Sequence, residues 1–372
     1  MWCFIGDEDE ERQPRLHRLM FNRIFQLAII ITLFSGAIHA QTQSDCLTSF
    51  PVPPNVKPAV SGSFTLTRDG KTLLVPGGDG KIRFIDMASG EIRRTLSGHT
   101  NYVYMANFNP DATLLASSSR DNTARIWDVS SGQVLHTFDG FRCAVKVVTF
   151  SPDGQLLAAS GNDGMLKLWD VKTSKELKSL VHRDSPDIDM STYAFLFSRD
   201  GKQIYAANGD GTISVWDVAS GKEIRNWQAH PSIVFKLELS RDYRRLVSFG
   251  EALVKVWDTS TWREITTLPI PRTAADSYVS AGALAISHNG KLIAASYIEL
   301  DSKRTTYLAI NTIVWNVKTG EKLYSLSGHK FDVNGLIFTG DDRYLLTGSV
   351  DQTIKFWDMR TGELTRTITL TN

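Results

Sequence analysis

Beyond about residue 60, short apolar runs alternate with turn residues at a steady interval. The runs end alike: "KIRFID" at Asp86, "ARIWD" at Asp128, "MLKLWD" at Asp170, "TISVWD" at Asp217, "LVKVWD" at Asp258, "TIVWN" at Asn316 and "TIKFWD" at Asp358. The steps between these last residues are 42, 42, 47, 41, 58 and 42. A turn of Asp, Asn, Gly or Pro precedes each copy, in five of seven cases 17 residues before its last residue. Between the two markers lie runs such as "QLLAASG" and "RYLLTGS", apolar and bounded by Gly, Asn or Asp, which read as strands. Each unit thus holds four short strands: a before the upstream turn, b after it, c ending at the Trp-Asp pair, and d beyond a Ser-Gly or Thr-Gly turn. Four strands repeated at this period predict an all-β fold, a seven-bladed β-propeller of four-stranded antiparallel blades over residues 59–372.

The Trp-Asp and Trp-Asn pairs, Gly98-His99, Gly328-His329 and the b–c turn residues Asp79, Asp121, Asp163, Asp210 and Asp351 resemble the WD-repeat family, here of a secreted or exported bacterial type. That resemblance implies a buried chain of His, Ser or Thr, Asp and Trp in each blade. Two blades match it in full: His99, Ser117, Asp121 and Trp127, and His329, Thr347, Asp351 and Trp357. The middle blades depart. Phe141 replaces the His in blade 3; blade 4 pairs His182, Asp210 and Trp216 with Ala206; blade 5 has His230 but Glu251 for the Asp. Looser stapling of those blades is expected. A His–Asp pair beside a Ser also imitates a hydrolase triad, yet its recurrence at blade spacing assigns it to structure.

Breaks in the period mark candidate functional segments. The d–a connections at 181–191 and 268–280 are about five and six residues longer than their counterparts, and blade 6 carries ten extra residues near "YIELDSKRTTYLA" (297–309). All three fall on the face bearing the d–a and b–c connections, the top, where repeat arrays often bind. The third has two readings: a solvated tip with Glu299, Asp301, Lys303 and Arg304, or a longer b–c hairpin. Top-face positions implied by the resemblance, together with this insertion, make Tyr102, Arg120, Arg142, Asn162, Arg183, Ile233, Tyr297, Arg304 and Asp332 candidate partner contacts. The triple Asp184, Asp187 and Asp189 follows no metal-loop spacing. Only His136 and His288 fall outside both the structural positions and the leader, so no multi-histidine metal site is expected.

The N-terminus reads differently. Arg15, Arg18 and Arg23 precede an apolar run at 24–37, and small residues precede "QTQSD", so residues 1–40 are expected to be a signal peptide cut after Ala40. Met20 is the better start for it, and an uncleaved anchor is the alternative. Residues 41–58 form an arm before the propeller. In an oxidising compartment Cys46 and Cys143 form a candidate disulfide. With 41 basic and 40 acidic residues the chain is nearly neutral, which argues against nucleic acid as a partner.

These readings converge on a secreted or periplasmic non-enzymatic scaffold, without cofactor or metal, that binds a protein or peptide through its top-face loops. The alternative is a propeller enzyme, or a sensor or carrier subunit, with a small-molecule site at the channel mouth.

Overall fold

The computed structural model describes residue 60, residues 62–181 and residues 192–370. These residues form 28 strands in seven four-stranded antiparallel sheets, each built from consecutive strands. The fold is a seven-bladed β-propeller. Among the described residues no helix is long and apolar enough to cross a membrane.

Burial explains the run pattern. Strands b and c are covered on both faces by neighbouring blades, so they read as nearly continuous apolar runs. In blade 3, Leu157, Ala158 and Ala159 are all inaccessible to solvent. Strand d is the outer edge; Glu176–Val181 buries only Leu180 fully and turns charged side chains outward, which discourages edge-to-edge association.

The paired Trp and Asp do different things. Trp127 is buried in the core between blades 1 and 2. Asp128 stays outside and holds the c–d turn, its Oδ1 accepting bonds from Ser131 N and Ser130 Oγ, both at 2.6 Å. Asp170, Asp217 and Asp258 do the same for Thr173, Ser220 and Thr261, and Asn316 does it without charge for Thr319. Bonds from the Ser130 hydroxyl and the Ser131 amide bring the Asp128 carboxyl down to about 2. The turn ends in the left-handed region, as at Gly132 (φ +76°). In blade 5 that position is taken by Trp262 (φ +60°), a costly place for a bulky residue. Its ring lies 5.0 Å from Tyr205 and 5.3 Å from Trp227, and Trp227 lies 5.7 Å from Trp257. This aromatic cluster spans blades 4 and 5.

Strand d also reaches sideways. Arg94 donates to Val129 O in blade 2, Lys178 to Ala219 O in blade 4, Tyr324 Oη to Met359 O in blade 7 at 3.2 Å, and Arg366 Nη1 to Met87 O at 2.7 Å. The last bond runs from blade 7 to blade 1, so the seam uses the same kind of link as three other junctions. Blade 1 has its own strand a (Thr65–Leu66) and blade 7 its own strand d (Leu364–Thr369). A shared cluster of Phe64, Val75 and Ile85 with Leu346, Phe356 and Ile368 fills the seam. Phe64 fits because residue 348 is glycine; a Cβ there would sit 1.8 Å from its ring.

Blade 6 is the exception in size. Its strands a (Tyr278–Ile286), b (Leu292–Leu300) and c (Tyr307–Asn316) have nine, nine and ten residues. The insertion therefore lengthens the b–c hairpin, whose turn is held by Asp301 accepting from Thr305 N and Thr306 N. Two expectations are corrected here. Tyr297 is not a surface contact but is 5% exposed, packed with Val279 and Phe249 in the core between blades 5 and 6. Glu299 is not part of a solvated tip but fully buried. The cause is the inserted d–a connection, which folds against the hairpin: Glu299 Oε1 accepts from Thr273 N at 2.7 Å, from Ala274 N at 3.3 Å and from the Ser277 hydroxyl.

Candidate interaction face

The His-containing clusters were the strongest chemical candidates. In blade 2, Trp127 Nε1 donates to Ser117 Oγ at 2.7 Å and Ser117 Oγ donates to His99 Nε2 at 2.7 Å. His99 Nδ1 in turn donates to Asp121 Oδ2 at 2.8 Å. Burial keeps the imidazole neutral by lowering its pKa against the pull of Asp121, which is the state this donor order requires. Burial also disfavours the Asp121 carboxylate, but bonds from His99 and Thr123 outweigh it and hold its pKa far below the usual range. Blade 7 repeats the chain through Trp357, Thr347, His329 and Asp351 at 2.9, 2.7 and 3.0 Å. Ser117 and Thr347 have no accessible surface, so neither hydroxyl can meet a substrate. The clusters join connections to strands.

The middle blades solve the same problem in other ways. In blade 3, Phe141 packs 5.9 Å from Trp169, and Arg142 N bonds Asp163 Oδ2 at 2.9 Å. In blade 4, where Ala206 offers no hydroxyl, Trp216 Nε1 donates to Ser214 Oγ at 3.0 Å, and Asn208 Nδ2 bonds the same oxygen at 3.1 Å. His182 lies outside the described residues. In blade 5, Trp257 Nε1 bonds Ser248 Oγ at 2.9 Å and Ser248 Oγ bonds His230 Nε2 at 2.7 Å, but His230 Nδ1 is buried without a partner. The blade 5 b–c connection is one residue short and closes on a tight turn, Gly250 N to Leu253 O at 3.0 Å, so Glu251 cannot stand where Asp121 stands. Burial drives the His230 pKa down to about 4.

The top-face candidates separate into neighbourhoods. Tyr102 and Arg120 come together, with Arg120 N donating to Tyr102 O at 2.8 Å and its guanidinium 6.0 Å from the ring. Arg142 is exposed, and Asn162 and Ile233 are half-buried. Arg304 is exposed and stacks 3.8 Å over Tyr278. Asp332 is half-buried in the d–a connection before blade 7. Arg183 and the Asp184, Asp187 and Asp189 triple lie outside the described residues, as does Cys46. Cys143 is disulfide-bonded.

Sequence reasoning missed the innermost strands. Strands a bond one another around the axis, as when Thr65 Oγ1 donates to Ala106 O and Asn107 Nδ2 to Val148 O. Blades 2 to 5 place Tyr104, Lys146, Tyr193 and Phe235 there in sequence: Lys146 Nζ lies 6.0 Å from the Tyr104 ring and 5.4 Å from Tyr193, and Tyr193 lies 5.7 Å from Phe235. In blade 5 strand a (Lys236–Leu239), Lys236 and Glu238 share a face. Burial lowers the Lys236 pKa and raises that of Glu238 to about 7, each opposed by the other's charge. The signal was present as two charges at alternate positions in a strand that elsewhere is mostly apolar. Among the described residues no group of three or more His, Cys, Asp or Glu side chains is arranged to hold a metal.

The family model described as "WD domain, G-beta repeat" matches residues 90–128, 132–170, 175–217 and 320–358. Those four stretches match WD repeats and together make up under half of the chain. The matched WD repeats end at the pairs of blades 2, 3, 4 and 7. Outside the matches lie strands a to c of blade 1, which lacks the Trp, blade 5, one residue shorter than its neighbours, and strands a to c of blade 6, whose hairpin is ten residues longer. Among similar curated proteins, "Protein tipD" of Dictyostelium discoideum is 28% identical over 148 residues, 39% of this chain and 21% of that protein. "Serine-threonine kinase receptor-associated protein" of Gallus gallus is 25% identical, covering 36% of this chain and 45% of the relative. "WD repeat-containing protein VIP3" of Arabidopsis thaliana is 32% identical, covering 32% and 38%. The matches thus span less than half of each relative's length. All three relatives are eukaryotic, so the expected bacterial type finds no support among them.

Proposed function

We propose that this WD-repeat propeller is a non-enzymatic scaffold that binds a protein or peptide through its top face. The carrying observation is an asymmetry. Insertions into the repeat fall on that face, and the exposed large apolar side chains that do not belong to strand d, Tyr307, Leu308 and Phe331, lie on or beside its connections. A relative named as receptor-associated points the same way. The basic and apolar N-terminal segment, together with the disulfide at Cys143, supports export to an oxidising compartment. The test is cross-linking in the native host followed by binding to the purified partner. Tyr102→Ala with Arg120→Ala, and Phe331→Ala with Asp332→Asn, should each be compared with wild type and with strand d controls such as Leu177→Ser. Loss of binding only in strand d variants would overturn the top-face reading.

A second reading rests on Lys236 and Glu238. A half-buried, titratable pair on an innermost strand suits a small zwitterion or a proton-linked ligand. Native mass spectrometry of the purified chain that finds a small molecule lost in Glu238→Gln would favour it.

A further inference from the structure

Twelve large apolar side chains are more than a third exposed among the described residues, and nine of them sit on strands d. The other three lie on the blade 6 hairpin and at the entry to blade 7. Tyr307 and Leu308 begin strand c of the blade 6 hairpin, and Phe331 stands in the connection that enters blade 7. Tyr307 pairs with Leu300 across the hairpin, on the face that also carries Ile310, which packs against Val333 of blade 7. Its hydroxyl lies near enough to the Asp332 carboxylate for the two to perturb one another. One carboxylate oxygen, Asp332 Oδ1, is buried and has no hydrogen-bond partner. A carboxylate thus lies beside an exposed tyrosine and next in sequence to an exposed phenylalanine, with one acceptor unused.

We propose that this edge, where the blade 6 hairpin meets the blade 7 entry, receives an arginine side chain from a basic segment of a partner protein. The inference rests on the scaffold reading and deepens it. The chemistry is specific. A guanidinium donates two parallel N–H bonds to a carboxylate and lies flat against aromatic rings, which an ammonium does less well. A turn of the Asp332 side chain would bring Oδ1 to the surface to gain its missing partner, while Tyr307 and Phe331 would cover the guanidinium faces. An apolar partner would leave that oxygen unpaired, and an acidic one would meet like charge. Burial and the Asp332 charge push the Tyr307 hydroxyl up to about 12, so it remains a donor at every physiological pH and restrains Asp332 until the guest arrives.

The experiment uses the purified full chain and three pentapeptides with blocked ends, Gly-Ser-X-Ser-Gly with X as arginine, lysine or norleucine, observed by saturation-transfer NMR and titration. The arginine peptide should bind with a Kd on the order of millimolar, more tightly than lysine, while norleucine should show no saturable binding. Asp332→Asn and Phe331→Ala should each weaken the arginine peptide about tenfold, and raised salt should weaken it further. Tyr307→Phe frees Asp332 while keeping the ring, and should tighten binding a few-fold. Thermal denaturation of each variant separates lost binding from lost fold. Equal binding of arginine and norleucine, or full binding by a folded Asp332→Asn protein, overturns the proposal. Loss of the native partner on Tyr102→Ala with Arg120→Ala, but not on Phe331→Ala with Asp332→Asn, would sink the arginine site and leave the scaffold reading standing. Retention by both pairs would sink the scaffold reading itself.

Discussion

Blades 2 and 5 build the same sheet with different means. Blade 2 carries every bond from Trp127 through Ser117 and His99 to Asp121. Blade 5 carries the first two and stops at His230 Nδ1. Yet blade 5 is not loose, because Trp262, Trp227, Tyr205 and Trp257 lock it to blade 4 with edge-on and tilted ring contacts. Polar stapling ties a connection to its own blade, whereas aromatic packing ties a blade to its neighbour. The difference teaches that one fold can move its rigidity from within the repeat to between repeats.

Several measurements would break that comparison. The largest effect is expected for Ser117→Ala, which strands both the Trp127 indole and His99 and should cost roughly 2–4 kcal/mol in urea unfolding. The matched Ser248→Ala should cost less, since its chain is already incomplete; equal losses would mean the final His–Asp bond contributes nothing. Trp262→Ala should destabilise by about 2–3 kcal/mol through lost ring packing, the Cβ that strains the positive φ being retained. A smaller cost for Trp262→Gly than for Trp262→Ala would show that strain, not packing, dominates the site.

Acid should find blade 5 first. An unfolded histidine titrates near 6.5, whereas His230 does so at about 4. The folded state therefore holds fewer protons between those values. The stability His230 contributes is full above about pH 6.5 and is lost as pH falls toward 4. Wild-type melting temperature should fall across that window, and His230→Gln should flatten the fall; an unchanged slope would remove His230 from the account. The smallest effect is expected for Arg366→Ala, which deletes one seam bond and should cost under about 1 kcal/mol. A larger loss would make the seam special among the junctions.

The fold was legible because its signal is periodic: a Trp-Asp pair every 42 residues is a ruler, and departures from it located the long hairpin and the short blade 5 turn. What the ruler could not convey is where an insertion lands. Glu299 sits among charged neighbours in sequence and reads as solvated, yet it is buried by residues 273–277, a contact between two separate insertions. Tyr297 reads as exposed only until its hairpin is laid against blade 5. Ser214 replacing the missing hydroxyl of blade 4 was equally hidden, since it comes from a different strand than Ser117 does. The Phe331 and Asp332 edge needed both the hairpin length and the blade 7 entry to be placed.

The seam has a bearing on how such a chain can change over time. Blade 1 and blade 7 each keep all four strands within one contiguous stretch of sequence. Gene segments and sheets therefore share their boundaries, and duplicating or transplanting one segment moves a whole sheet without splitting another. Each junction then has only to accept a new neighbour through side-chain packing, helped at some by a strand d side chain reaching a turn carbonyl. Heredity can trade in whole blades, and a single enlarged unit such as blade 6 can diversify while the remaining six keep the circle.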